Sequence, residues 1–194
     1  MTLPNQLTVF RILLIPVFVL LLVYDQRVSA LIVFLLTGIS DSLDGFIART
    51  WKLETTLGSI LDPIADKLLI VTAFITLTVL EAVPFPLAAL LVTRDVVLSL
   101  VFGIVLCMTG RRLSAPTGLG KATIVAQMCT VVLGLVFYVF DDRSLLQSLR
   151  PFLLTPVFII TAILAIVSGL HYLYQVARLF TVIEEPIKPQ RTLL

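Results

Sequence analysis

The sequence predicts an all-α integral membrane protein, a bundle of six transmembrane helices with a short N-terminal interfacial segment and both termini in the cytosol. Three observations lead there. Hydrophobic residues make up 59% of the 194 positions and charged ones only 13%, and the mean hydropathy is +1.10. That is more apolar surface than one soluble core of this size can hide. Apolar stretches of about 20 residues, the length that crosses about 30 Å of hydrocarbon, recur along the chain. Finally, they leave no room for a soluble domain, so residues 1–194 read as a single membrane domain.

The elements follow in order. Residues 1–8 form the interfacial segment, and the first span runs from Val9 to Tyr24. It is expected to stay in the mature protein: Met1 to Phe10 lacks a basic n-region, no small-x-small cleavage site follows Tyr24, and more spans come after. The second span, Val28 to Ala48, ends against Arg49, and the third covers Gly58 to Leu80. Pro63 is tolerable there because it falls in the first turns, where lost N–H bonds matter least. The fourth, fifth and sixth spans are Phe85 to Met108, Thr123 to Phe140 and Phe152 to Leu179. Residues 181–194 form a polar tail that carries Pro186 and Pro189.

Lys and Arg near the span ends set the orientation. With a cytosolic N-terminus, the inner side collects Arg11, Arg49, Lys52, Lys67, Arg111, Arg112, Lys121, Arg178, Lys188 and Arg191, against Arg27, Arg143 and Arg150 outside, with Arg94 inside a span. A net charge of +2 argues against nucleic acid, and the basic residues read as topology signals and contacts to anionic headgroups. Cys107 and Cys129 lie in different spans without CxxC spacing, so both are expected to be small buried hydrophobes.

Four carboxylates break the apolar pattern: Asp41, Asp44, Asp62 and Asp66 fall within 26 residues. Each costs about 2.5 to 3.5 kcal/mol in a membrane helix on insertion scales, so together they call for a positive partner. Asp41 and Asp44 are three apart and share a helix face with Gly45; Asp62 and Asp66 are four apart and share a face of the next helix. The short link from Thr50 to Leu57 predicts an antiparallel neighbouring pair with all four carboxylates facing a common space. Asp44 is about 8 Å from Arg49 along the helix and Asp66 about 12 Å from Gly58, which makes a shallow site open to the cytosol. Their oxygens are hard ligands, and one or two Mg²⁺ or Mn²⁺ ions would relieve their mutual repulsion. Gly45 and Gly58 would let a bulky ligand approach the backbone, or serve close helix packing. Arg49 and Lys67 suit an anionic phosphate, or act as snorkelling interfacial cations.

The fixed residues Asp41-x-x-Asp44-Gly45-x-x-Ala48-Arg49, then eight residues, then Gly58-x-x-x-Asp62-x-x-x-Asp66, resemble the signature of the CDP-alcohol phosphatidyltransferases. The resemblance implies a six-helix membrane enzyme, usually a homodimer, that uses two divalent ions to move a phosphatidyl group from CDP-diacylglycerol to an alcohol with release of CMP. By the same resemblance, Asp41, Asp44, Asp62 and Asp66 look like metal ligands, and Asp66 is also the general base. Gly45, Ala48, Arg49 and Gly58 would line the cytidine and phosphate pocket. The start Pro4-Asn5-x-Leu7-Thr8-x-x-Arg11 is similar to the opening of the phosphatidylglycerophosphate synthases and the CDP-alcohol type of cardiolipin synthase. Asn5, Thr8 and Arg11 would contact the nucleotide, or else cap and anchor the helix. The likeness covers most of the chain and thins after about Tyr138. His171, the only histidine, lies away from the motif and is expected to be a buried core residue.

Both subfamilies take acceptors with a glycerol hydroxyl near a phosphate, so Arg94, Arg111, Arg112 and Lys121 are the candidate acceptor cations. Gly120-Lys121-Ala122-Thr123-Ile124-Val125-Ala126-Gln127 resembles the G-K-x-K-T-x-x-Q segment of phosphatidylglycerophosphate synthases, with Thr123 at the second lysine and Ile124 at the threonine. Arg94-Asp95, with Phe102 where those synthases carry a further arginine, is more similar to the cardiolipin synthases. Each charge-assisted contact is worth about 1.5 to 3 kcal/mol, so a site short of two cations favours a phosphodiester. Phosphatidylglycerol is thus the expected acceptor and glycerol 3-phosphate the alternative. Arg94-Asp95 also suits a structural pair or a dimer contact. A divalent-cation carrier is the rival from another class, because intramembrane carboxylates also mark ion pathways. The expected membrane is a bacterial inner membrane.

Overall fold

A computed structural model describes residues 3–51, 58–109, 118–140 and 144–184, with side chains placed for 8–40, 64–105, 118–140 and 148–178. All regular structure among them is helical: α1 (Leu3–Val23), α2 (Arg27–Trp51), α3 (Gly58–Val79), α4 (Phe85–Thr109), α5 (Gly118–Val139) and α6 (Ser144–Glu184). The expected spans match these elements in number and order. The differences lie at the ends. α1 starts at Leu3, so most of the expected interfacial segment is its first turns, and α5 starts at Gly118, which brings Lys121 into helix. α6 has 41 residues, about 60 Å of helix and twice the hydrocarbon thickness.

Among the described residues, three helices are long and apolar enough to cross a membrane: Phe85–Val105, Gly118–Val139 and Ser148–Arg178. Thr8–Val23 and Arg27–Ser40 are shorter apolar stretches. Large apolar side chains such as Leu13, Ile32, Leu100 and Ile163 point outward, as lipid-facing residues do. Cys129 is among the exposed residues, which corrects its expected burial: on α5 it falls on the outward face, where an apolar solvent welcomes a thiol as well as a core does. The Cys107 side chain lies outside the described residues.

The helices pack as a closed ring in the order α1, α3, α4, α6, α5, α2, with α3 and α5 also touching across the middle. The motif-bearing ends of α2 and α3, where their expected side-by-side pairing would lie, are outside the described side chains. Among the described residues these two helices do not pack on each other; α1 and α5 each pack against both. The short link fixes how far apart two helix ends can be, but not what their axes contact.

Two ends of the bundle differ in character. Toward the turns that join α1 to α2 and α3 to α4, the core is apolar and centres on Phe18, Phe34, Phe74, Leu77, Val83 and Leu135. The Phe18 and Phe34 rings lie 5.6 Å apart and tilted, a geometry worth about 0.5–1.5 kcal/mol beyond buried area. Both turns close by the same device. Asp25 and Glu81 take left-handed φ values of 58° and 57°. The N–H of Gln26 reaches Leu21 O at 2.7 Å and that of Asp25 reaches Leu22 O at 3.1 Å; Ala82 and Glu81 repeat the pattern onto Leu77 and Thr78 at 2.8 and 3.1 Å. Each is a Schellman closure that satisfies carbonyls at a helix C-terminus. Arg27 and Arg150 clip this rim. Arg27 donates to Asp25 at 2.6 Å and to the Tyr138 carbonyl at 3.1 Å, with its guanidinium 4.5 Å from the Tyr138 ring centre. Arg150 donates to Glu81 O at 3.1 Å.

Candidate functional site

The opposite end carries the acidic motif. Asp41, Asp44, Gly45, Ala48 and Arg49 all lie in the last part of α2, and Gly58, Asp62 and Asp66 in the first nine residues of α3. The helical backbone keeps the one-turn registers that their spacing predicts. The side chains of Asp41, Asp44, Arg49 and Asp62 fall outside the described residues, as do those of Asn5, Arg111 and Arg112.

Asp66 is the described carboxylate of the four, and its partner comes from α1. The Arg11 guanidinium donates to its Oδ1 at 2.5 Å, with the Arg11 side chain 3% exposed and that of Asp66 42% exposed. Depth explains the match. Each residue stands eight positions into its helix, about 12 Å from the start, and α1 and α3 run in the same direction. Thr8, three residues before Arg11, is also buried, so the two share one face of α1. It stands inside the helix rather than at its end, which leaves the capping role aside.

A second polar cluster joins α4, α5 and α6. Asp95 accepts Arg94 Nη1 at 2.6 Å through Oδ1 and Gln127 Nε2 at 2.9 Å through Oδ2. Arg94 Nη2 also donates to Ser168 Oγ at 2.8 Å, and Ser168 meets Thr123 Oγ1 at 2.9 Å. Thr130 and Thr161 pair at 2.9 Å. Gly169 faces the Arg94 stem, where a Cβ would lie 3.6 Å from Arg94 Cγ, an ordinary packing distance. Arg94, one of the expected acceptor cations, is therefore engaged inside the fold. Lys121 is exposed in the first turn of α5. His171, expected in the core, is half-exposed and meets Gln175 at 3.2 Å.

Sequence reasoning passed over Gln127, Thr161 and Ser168. A signal for them exists: Thr123, Gln127 and Thr130 recur at i, i+4 and i+7 in a span otherwise apolar, and Thr161 and Ser168 at i and i+7, which is one stripe on each helix. In lipid such stripes find partners on neighbouring helices.

Residues 1–168 match the profile of the CDP-alcohol phosphatidyltransferase family. The chain belongs to that family. It is 46% identical over 98 residues to the human cardiolipin synthase (CMP-forming), a match that covers 50% of this chain and 33% of that protein. The CDP-diacylglycerol–glycerol-3-phosphate 3-phosphatidyltransferase of Haemophilus influenzae is 31% identical over 183 residues, 90% of this chain and 92% of that one. The Escherichia coli enzyme of the same name is 34% identical over 131 residues, 64% and 71% of the two chains. The chain thus spans about a third of the length of the mammalian cardiolipin synthases it matches.

Proposed function

We propose that the chain is a CMP-forming phosphatidyltransferase that moves the phosphatidyl group of CDP-diacylglycerol to a glycerol hydroxyl of phosphatidylglycerol. The observation that carries this is Asp66: a partly exposed carboxylate, the last fixed residue of the family motif, held by a buried arginine on the neighbouring helix. That pairing fixes the carboxylate through one oxygen while its exposure keeps it reachable, as a general base must be.

The donor set of Asp41, Asp44, Asp62 and Asp66 consists of hard oxygen ligands at one-turn spacing on two helices, which fits two Mg²⁺ or Mn²⁺ ions. Such ions, when bound, neutralise charge on the pyrophosphate. The acceptor oxygen forms a bond to the lipid-side phosphorus as its proton passes to Asp66. The bond from that phosphorus to the bridging oxygen breaks, and the electron pair leaves with CMP. Arg49 would grip phosphate oxygens, Gly45, Ala48 and Gly58 would admit the nucleotide, and Asn5 and Thr8 would border it from α1. Lys121, Arg111 and Arg112 would face the acceptor where α4 gives way to α5.

The same reading takes all six helices as spans, both termini and the site as cytosolic, and residues 1–194 as one domain with an interfacial start and a polar tail at 181–194. The ten-to-three split of basic residues supports that orientation. A homodimer in a bacterial inner membrane is the form in which we place it.

For the acceptor, the missing cations and the 46% identity to a cardiolipin synthase favour phosphatidylglycerol. Glycerol 3-phosphate is the second reading, favoured by the H. influenzae relative that matches end to end. Radiolabelled CDP-diacylglycerol supplied with each acceptor, with Mg²⁺ or Mn²⁺ and with chelator, tests both. Metal-dependent CMP and cardiolipin formation is expected. Exclusive use of glycerol 3-phosphate would reverse the acceptor, and no metal-dependent CMP release with either would leave the divalent-cation carrier.

A further inference from the structure

Lys67 follows Asp66 directly and is put to no use by the chemistry above. Its ammonium donates to Ser99 Oγ on α4, while the Ser99 hydroxyl donates to the Asp95 carbonyl at 2.5 Å. Among the described residues no carboxylate lies within ion-pair distance of Lys67; Asp95, whose charge reaches it from α4, is engaged by Arg94 and Gln127. Lys67 also stands nine positions into α3, about 13 Å from its start, and its side chain is exposed. A snorkelling lysine would run back toward the interface. This one turns sideways to a neutral hydroxyl and makes no direct ion pair with a described carboxylate, so its exposed ammonium is placed to receive an anionic ligand.

Consecutive helical positions point about 100° apart. Asp66 faces α1 through Arg11 and Lys67 faces α4 through Ser99, so the two side chains flank one sector of α3. A glycerol headgroup has the matching form, with a free hydroxyl three carbons from its phosphate. Among the described cations, Arg94 is paired with Asp95 and Arg11 with Asp66.

We infer that Lys67, placed by neutral Ser99, contacts the acceptor's phosphate from beside Asp66, in addition to the charges of Lys121, Arg111 and Arg112 proposed above. This rests on the phosphatidyltransferase reading. The hydroxyl then lies at Asp66 and the phosphate at Lys67.

The test compares the full-length wild type with Lys67→Met, Lys67→Arg and Ser99→Ala in detergent with Mg²⁺, titrating phosphatidylglycerol and CDP-diacylglycerol separately and measuring CDP-diacylglycerol binding without acceptor. Lys67→Met is expected to raise the KM for phosphatidylglycerol about tenfold or more, as loss of one charge-assisted contact does. The KM for CDP-diacylglycerol and its direct binding should stay within about twofold. Lys67→Arg should restore much of the acceptor affinity, and Ser99→Ala, which only frees the ammonium, should raise the acceptor KM about threefold. Equal rises in both KM values, or a fall in kcat with the acceptor KM unchanged, would overturn the assignment while the wild-type activity stands. If Lys67→Met does not fold, an unchanged acceptor KM in Ser99→Ala overturns it instead. A wild type that releases no CMP removes the inference together with the reading beneath it.

Discussion

Removing the Asp95 carboxylate should destabilise the bundle more than any other single polar change among the described side chains. Asp95→Leu leaves the Arg94 guanidinium, 15% exposed, with Ser168 as its remaining side-chain partner, and takes from Gln127 the oxygen at 2.9 Å that its amide donates to. Breaking one side of a buried ion pair costs about 3–5 kcal/mol, and an orphaned buried amide adds about 1 kcal/mol. The membrane setting pulls the other way, because measured interhelical polar contacts there average only about 0.6 kcal/mol. A net loss of about 3 kcal/mol is the balance, which for a chain of this length lowers Tm by about 6–12 °C.

The assay is thermal unfolding in detergent of the wild type, Asp95→Leu, Arg94→Met and the double variant. The two residues share one network, so their effects should not add. The double variant, which removes the stranded charge, should recover at least half of the loss seen in Asp95→Leu. A shift under about 2 °C for Asp95→Leu, or a double variant that loses the full sum of the singles, would refute the structural account of this pair. The same proteins decide whether Arg94 touches acceptor. A folded double variant should keep its phosphatidylglycerol KM within about threefold of wild type, and a tenfold rise would return Arg94 to the acceptor site.

Asp66→Asn should lower CMP release by about 10²-fold or more, the scale of a lost general base. It should still fold and bind CDP-diacylglycerol, because the amide oxygen can accept from Arg11; wild-type-like turnover removes Asp66 from the base role. At the rim, Arg27→Ala loses the Tyr138 carbonyl and ring contacts and should cost about 1–2 kcal/mol in detergent unfolding. Its exposed pairing with Asp25 contributes little, so Asp25→Ala should change Tm by less than about 2 °C. For topology, a cysteine at Gln26 should react with a membrane-impermeant maleimide in intact cells, whereas one at Glu54 should react only after lysis. The opposite pattern would invert the bundle and place the acidic motif outside.

The helices were legible because a long apolar stretch stands out wherever it occurs, and the sequence carries one for each of the six helices. The motif was legible for the opposite reason, since four carboxylates in such a chain are costly without a purpose. What stayed hidden is the set of contacts between helices. Nothing in the spacing of Asp62 and Asp66 says that Arg11 from α1 would meet the second of them, because that contact depends on α1 running parallel to α3 and starting at the same depth. The polar stripe of Thr123, Gln127 and Thr130 could be read, but its partners on α4 and α6 could not, since ring order is a property of packing. Arg94 shows the consequence. Chosen from charge and position alone it is an acceptor cation as plausible as Lys67; only the carboxylate beside one and the neutral hydroxyl beside the other separate them. In an apolar bundle the charge left unanswered by the fold, rather than the charge that is merely present, marks where a ligand belongs.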